Sequence, residues 1–296
     1  ANTGALITGA MRNIPSLVSN VNPTLLVQHV SEITYNDDSC YETIQWNFDG
    51  FYTGPLMDLQ TVINLNTTDP DSYTSSGSAG MQMGVAHLLQ VYMYQKMTDR
   101  WGAIPYSEAL KGVDELKPKF DDQKDVYMGM FAQIDAALGM LDGGGLSGDY
   151  MFNGDATAWK KFGNTMKMVL ALRLSDVDAA TAQSKFLEAV AGGVLSSTSQ
   201  NVHYSYLDAV AHENPWKAAF RTRNDFAPSK RFVDYLTANS DPRLTKMPDG
   251  SKNSGGVTYV GMPYGLEDPA ISGADVASIT SAIITDGAQH GGFLYA

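Results

Sequence analysis

Apolar residues recur every three or four positions from Ser78 to Met97, where Met81, Val85, Leu88, Leu89 and Tyr92 fall on one helical face. The same period runs from Val126 to Leu141 through Tyr127, Met130, Phe131, Ile134, Leu138 and Leu141, and Asp142-Gly143-Gly144-Gly145 then stops it. A third stretch, Ala156 to Leu174, puts Trp159, Phe162, Met166, Val169, Leu170 and Arg173 on a broad face and predicts Lys160, Lys161 and Lys167 outward. Thr24 to Val30, Trp46 to Leu65, Ala182 to Val190 and Pro228 to Leu236 read as further helices. Polar segments separate them: Asn66 to Gly77, Ser196 to Arg223, and the Gly- and Ser-rich run from Pro248 to Gly292. Loops this long often carry function. Val257-Thr258-Tyr259-Val260 predicts one short strand. The class expected is all-α, a helical scaffold with long irregular loops.

The chain has 296 residues, 44% of them apolar, enough for a large core. Its net charge of −12 opposes a phosphate backbone and an anionic lipid surface, so no nucleic-acid partner is expected. The single cysteine, Cys40, excludes an internal disulfide and reads as a small, at least half-buried residue. His29, His87, His203, His212 and His290 are scattered without metal-ligand spacing, so neither metal nor cofactor is expected. Gly143-x-Gly145-x-x-Gly148 follows a helix, whereas a dinucleotide site follows a strand. Glycoside hydrolysis needs two carboxyls facing each other across a bond. Asp37-Asp38 and Asp121-Asp122 are sequence neighbours and read as turns or caps. The chain is therefore expected not to be an enzyme.

The most distinctive string is Met97-Thr98-Asp99-Arg100-Trp101-Gly102-Ala103-Ile104-Pro105-Tyr106-Ser107-Glu108-Ala109. It predicts a helix ending near Asp99-Arg100, a turn at Gly102, an extended step before Pro105, and a new element at Ser107-Glu108. It resembles the T-D-x-[FWY]-G-x-[VI]-P-Y-S-E-A signature of the SusD/RagB family, differing at Ala103, where many members carry Asp. Trp159-Lys160-Lys161-Phe162-Gly163-Asn164 with Leu170-Ala171-Leu172-Arg173-Leu174-Ser175 is similar to a second family helix. Asn214-Pro215-Trp216, and Tyr235-Leu236 followed by Asp241-Pro242-Arg243-Leu244, resemble two more of its motifs.

That resemblance implies a tetratricopeptide-like scaffold, a single SusD-like domain over residues 1–296. It also implies an N-terminal part of a longer protein, since members usually continue past a Y-A-E helix and this chain stops at Leu294-Tyr295-Ala296. The implied function is non-catalytic binding of a glycan or related nutrient and its delivery to a SusC-like TonB-dependent transporter. The implied location is the cell-surface face of the outer membrane, through a signal peptide and lipid anchor outside this chain. A helical-repeat scaffold that binds only protein is the alternative. Sugars present apolar C–H faces ringed by hydroxyls, which flat aromatics and polar side chains recognise together. The expected ligand-binding residues are Trp216, Tyr41, Tyr35, Tyr73, Tyr204, Asn214 and Asp38. Tyr206, Asp37, Arg221 and Arg223 are further groups near them.

Overall fold

The computed structural model describes residues 2–18, 21–41, 46–204, 206, 209–210, 213–223, 225–251, 255–256, 258–266, 278–279 and 293–295. Along the chain run α1 (Thr3–Met11), α2 (Ile14–Val18), α3 (Val21–Leu26), β1 (Val30–Glu32), α4 (Asp49–Phe51) and α5 (Met57–Thr68). Then come α6 (Ala79–Trp101), β2 (Ile104–Pro105), β3 (Phe120–Asp121), α7 (Gln123–Met140), α8 (Ala156–Arg173), α9 (Ala179–Gly192) and β4 (Val202–His203). The last are α10 (Pro215–Ala219), β5 (Phe226–Pro228), α11 (Lys230–Ala238), β6 (Pro248–Asp249), β7 (Ser278–Ile279) and β8 (Phe293–Tyr295). The fold is mainly helical, as the periodicity requires, and tetratricopeptide-like, as the resemblance implies.

Two compact units divide the chain. The first comprises residues 1–17, 47–202 and 293–296, and holds the main core. Here α5 packs on α6, α6 on α7, and α8 on both α7 and α9. Met81, Val85, Leu88, Leu89 and Tyr92 are all fully buried, so the face predicted on α6 is the face it uses. Trp159 is also fully buried, and its Nε1 donates to Asp149 Oδ2 at 2.7 Å. Asp149 in turn accepts the backbone N–H groups of Met151, Phe152 and Gly154, which fixes the turn before α8.

Gly163 shows why the second family helix carries a small residue there. A Cβ at that position would lie 2.9 Å from Leu138 Cδ2 and 3.1 Å from Leu88 Cδ2, so the glycine lets α8 approach both α6 and α7. The next residue, Asn164, donates to the carbonyls of Gly192 (2.8 Å) and Gly193 (3.1 Å), satisfying the end of α9. Lys167 departs from the outward placement expected. It is buried, because α8 is covered on two sides, and its ammonium pairs with Asp135 of α7 and lies 3.9 Å from Glu188 of α9.

The second unit, residues 18–46 and 203–292, is built around β1 paired antiparallel with β5, in register Val30↔Pro228, Ser31↔Ala227 and Glu32↔Phe226. Leu25, Val30 and Phe220 form its small core, with Val21, Trp216, Ala219 and Phe226 packed against it. Ser229 caps α11, accepting from Phe232 N at 3.0 Å, and Val233 and Leu236 are that helix's buried positions.

Several sequence expectations change. The Trp46 to Leu65 helix begins at Asp49 and passes through a wide turn at Tyr52–Leu56, because Pro55 lacks an N–H and Gly54 leaves helical angles. Trp46 therefore precedes the helix and is exposed. Helix α3 stops at Leu26 and the chain becomes strand at Val30, not helix. Thr258 to Val260 carry no strand, and Val257 lies outside the described residues. Cys40 is exposed, not half-buried.

Candidate functional site

Six of the seven residues expected to bind ligand fall in the second unit, and Tyr73 falls in the first. Tyr73 is half-buried, and its carbonyl accepts from Gln82 Nε2 at 2.9 Å. Tyr204 is only 3% exposed and packs edge-on against Tyr206, with ring centroids 5.2 Å apart. Tyr206 is likewise buried, so neither side chain is displayed to solvent.

Trp216 stands on a short helix, not in the open loop expected. Asn214 creates that helix: its Oδ1 accepts from Trp216 N at 2.9 Å, and Pro215 supplies a preset first helical residue. Asn214 is accordingly buried. The indole is half-buried and stacks on Phe220, with centroids 6.5 Å apart and planes 14° from parallel. One side of this platform is thus consumed by the small core of the unit. Arg221, nearby, pairs with Glu213.

The remaining predicted residues gather around the C-terminal end of β1. Tyr35 is 56% exposed, and the Arg223 guanidinium lies 5.1 Å from its ring centroid. Arg223 reaches it from the segment preceding β5 and is itself held by Asp225 at 2.5 Å. The antiparallel pairing brings these segments together, since Ile33 N donates to Asp225 O at 2.7 Å just beyond the strands. Asp38 belongs to the turn that follows, and Tyr41 ends it, 53% exposed. Glu32 organises that turn by accepting from Ser39 N (3.1 Å) and Ser39 Oγ (3.0 Å). Burial pushes the Glu32 carboxyl up from the ordinary glutamate range, against the Ser39 bonds, and the charges of Asp38 and Asp37 add to the rise.

Tyr264 is a residue that the sequence did not single out. It lies in the Gly- and Ser-rich stretch after Pro248, far from Tyr41 in sequence, yet the two rings are 6.2 Å apart. No periodicity marks such a residue. The Ser229–Met262 bridge and the bond from Ser31 Oγ to Pro263 O (2.9 Å) help bring it to β1.

Two polar clusters of the first unit are bonded internally. In the first unit Gln133 donates to Gln90 Oε1 (2.8 Å), lies 3.1 Å from His87 Nδ1, and accepts from Tyr106 Oη at 2.9 Å. Burial lowers the pKa of His87, so the neutral ring is favoured in this network. Asp121 accepts from Tyr106 N, Ser107 N and Ser107 Oγ, which explains the Tyr-Ser pair of the signature string without any ligand. Ser107 begins no helix or strand; it is a turn held by that carboxylate. Gly143, Gly145 and Gly148 all have positive φ in the loop after α7, a path for chain reversal rather than a phosphate cradle before a helix. Among the described residues no three His, Cys, Asp or Glu side chains gather as metal ligands. No described helix is long and apolar enough to cross a membrane.

An open groove of about 300 Å³ lies between α8 and α9, lined mainly by Ala171, Leu172, Ala182, Phe186 and Leu187. Ser175 and Gln183 are the polar residues of its otherwise apolar lining, few donors and acceptors for sugar hydroxyls.

The sequence matches the SusD-like_2 family, described as "Starch-binding associating with outer membrane", over residues 1–288. Among solved structures, a chitin-binding protein is 26% identical with a TM-score of 0.79, covering 96% of this chain and 65% of its own. A SusD homolog from Bacteroides fragilis superposes with a TM-score of 0.81 at 20% identity, covering 97% of this chain and 64% of its own. A chitin-binding SusD homolog from Flavobacterium johnsoniae gives a TM-score of 0.72 at 23% identity, covering 94% and 61%. The chain thus spans somewhat less than two thirds of these relatives. No curated protein matches it.

Proposed function

The chain belongs to the SusD-like family, and from that premise we propose that it captures a carbohydrate without transforming it and passes it to a SusC-like TonB-dependent transporter of the outer membrane. The observation that carries the reading is the family match over residues 1–288, joined to the gathering of exposed rings and polar groups at the end of β1. Residues 1–296 serve as one binding domain at the cell surface. Tyr35, Asp38 and Tyr41 belong to the site, with Trp216 and Asn214 supporting it from α10. The similarity to a chitin-binding protein makes β-1,4-linked N-acetylglucosamine oligomers the first ligands to try.

Capture needs only stacking and hydrogen bonding. The rings cover the apolar sugar face, while Arg223 and the carboxylates pair with hydroxyls. Calorimetric titration against glycan and peptide panels tests this. Saturable binding of an oligosaccharide, with no product released, is expected. Tyr35→Ala and Trp216→Ala should each weaken it by about 1–3 kcal/mol, the scale of aromatic stacking on flat ligands. Binding unchanged in both variants removes these residues from the site. The apolar groove between α8 and α9 favours a second reading, a scaffold that binds protein only. Binding of peptide and of no glycan would support that reading instead.

A further inference from the structure

We propose that Tyr41 and Tyr264 form one stacking platform that reads the ring face of a pyranose and not its hydroxyl pattern. This inference rests on the carbohydrate reading and assigns a role to a residue that the sequence left unmarked.

The argument starts from where the two phenol hydroxyls go. Tyr41 Oη donates to Leu26 O at 3.1 Å and accepts from Gln28 Nε2 at 3.0 Å. Tyr264 Oη donates to Leu25 O at 2.7 Å. Leu25 and Leu26 are the last two residues of α3; Leu25 O also accepts from Gln28 N at 2.8 Å, and Leu26 O lies at the open end of the helix. Each tyrosine is thus tied down at its tip by the end of α3. A tyrosine that meets a sugar through its hydroxyl keeps that group free, whereas here both O–H donors are spent on backbone. What remains for a ligand is the ring surface, and Tyr41 keeps its ring more than half exposed.

The backbone reinforces the arrangement. Tyr41 and Gln28 both have φ of 58°, in the left-handed region that costs a non-glycine residue free energy. The hydrogen bond between their side chains joins the two positions and helps hold them there. The rings meet at 48°, an angled surface instead of a flat stack. Burial pushes the Tyr264 hydroxyl up to about 12, so the phenol stays neutral at the anchor.

A platform without free hydroxyls contributes affinity common to sugars with an apolar face, and selectivity comes from polar groups elsewhere. Chitotetraose and cellotetraose share the ring face and differ at C2, so they are the probes. The measurement is calorimetric affinity of wild type, Tyr41→Ala, Tyr41→Phe, Tyr264→Ala and Tyr264→Phe, with melting temperature as a control on folding. For each probe that the wild type binds, both alanine variants should weaken binding roughly tenfold, the size of one stacked ring. Tyr41→Phe should stay within about threefold of wild type, because the ring survives; Tyr41 is exposed, so its variants keep the test valid even if Tyr264→Ala unfolds. Where both probes bind, their affinity ratio should be the same in every folded variant. Unchanged binding in Tyr41→Ala, equal losses in Tyr41→Phe and Tyr41→Ala, or an altered ratio overturns the proposal alone. Binding of neither probe by the wild type overturns this inference, and binding of no glycan at all overturns the carbohydrate reading with it.

Discussion

At the residue scale, the string that marks the family is explained by hydrogen-bond satisfaction. Asp121 is the clearest case. Burial alone would raise its pKa, but the backbone N–H and hydroxyl of Ser107, the N–H of Tyr106 and the nearby Lys119 outweigh it and hold the carboxyl below the usual aspartate range. A carboxyl depressed in the folded state adds stability that is fully present above the unfolded pKa, near 4, and is lost as pH falls through the lower folded value. Asp121→Asn should therefore cost about 1–3 kcal/mol at pH 7, through weakened acceptors for part-buried donors. The gap between variant and wild type should narrow below about pH 4, as the wild-type carboxyl also becomes protonated. Urea unfolding at pH 7 and at pH 3 checks this; a gap independent of pH would show that the charge of Asp121 is not what holds Tyr106 and Ser107. The same scale explains Asn214 and Asp241, each the cap of a short helical turn that opens with proline.

At the element scale, helix faces were legible because a 3.6-residue period forces apolar side chains onto one side whatever lies beyond. Contact points between helices were not. Gly80 begins α6 where α7 ends, and a Cβ there would sit 2.5 Å from Met140 O and 2.7 Å from Asp142 Oδ2. Alanine in a helix ordinarily gains about 0.5–1 kcal/mol over glycine. Here the obstacle is a backbone carbonyl that cannot swing away, and overpacking costs about 1–3 kcal/mol. Gly80→Ala should therefore be net destabilising, by roughly 1 kcal/mol or more, and thermal unfolding decides it. A higher melting temperature would mean that α7 shifts freely. Lys167 teaches the same lesson: its outward placement follows from an amphipathic α8, and its burial follows from having helices on two sides.

At the scale of the whole molecule, charge governs long-range encounters. With a net charge of −12, the chain by itself should not sediment with vesicles rich in anionic lipid at low salt, and co-pelleting measures this. Retention on such vesicles would reveal a basic face that the overall charge conceals. The helical class, the limits of the longest helices and the buried Trp159 follow from the sequence alone, because periodicity and capping are local and act before any partner is chosen. The sequence also supplied Tyr35, Asp38 and Tyr41 as candidates, since they share one short polar segment. Only the tertiary structure set Arg223 against the Tyr35 ring and brought Tyr264 beside Tyr41. Those outcomes depend on the pairing of β1 with β5, the Ser229–Met262 bridge and the carbonyls at the end of α3. Each joins residues whose separation along the chain leaves no periodic trace, so chain proximity cannot foretell them.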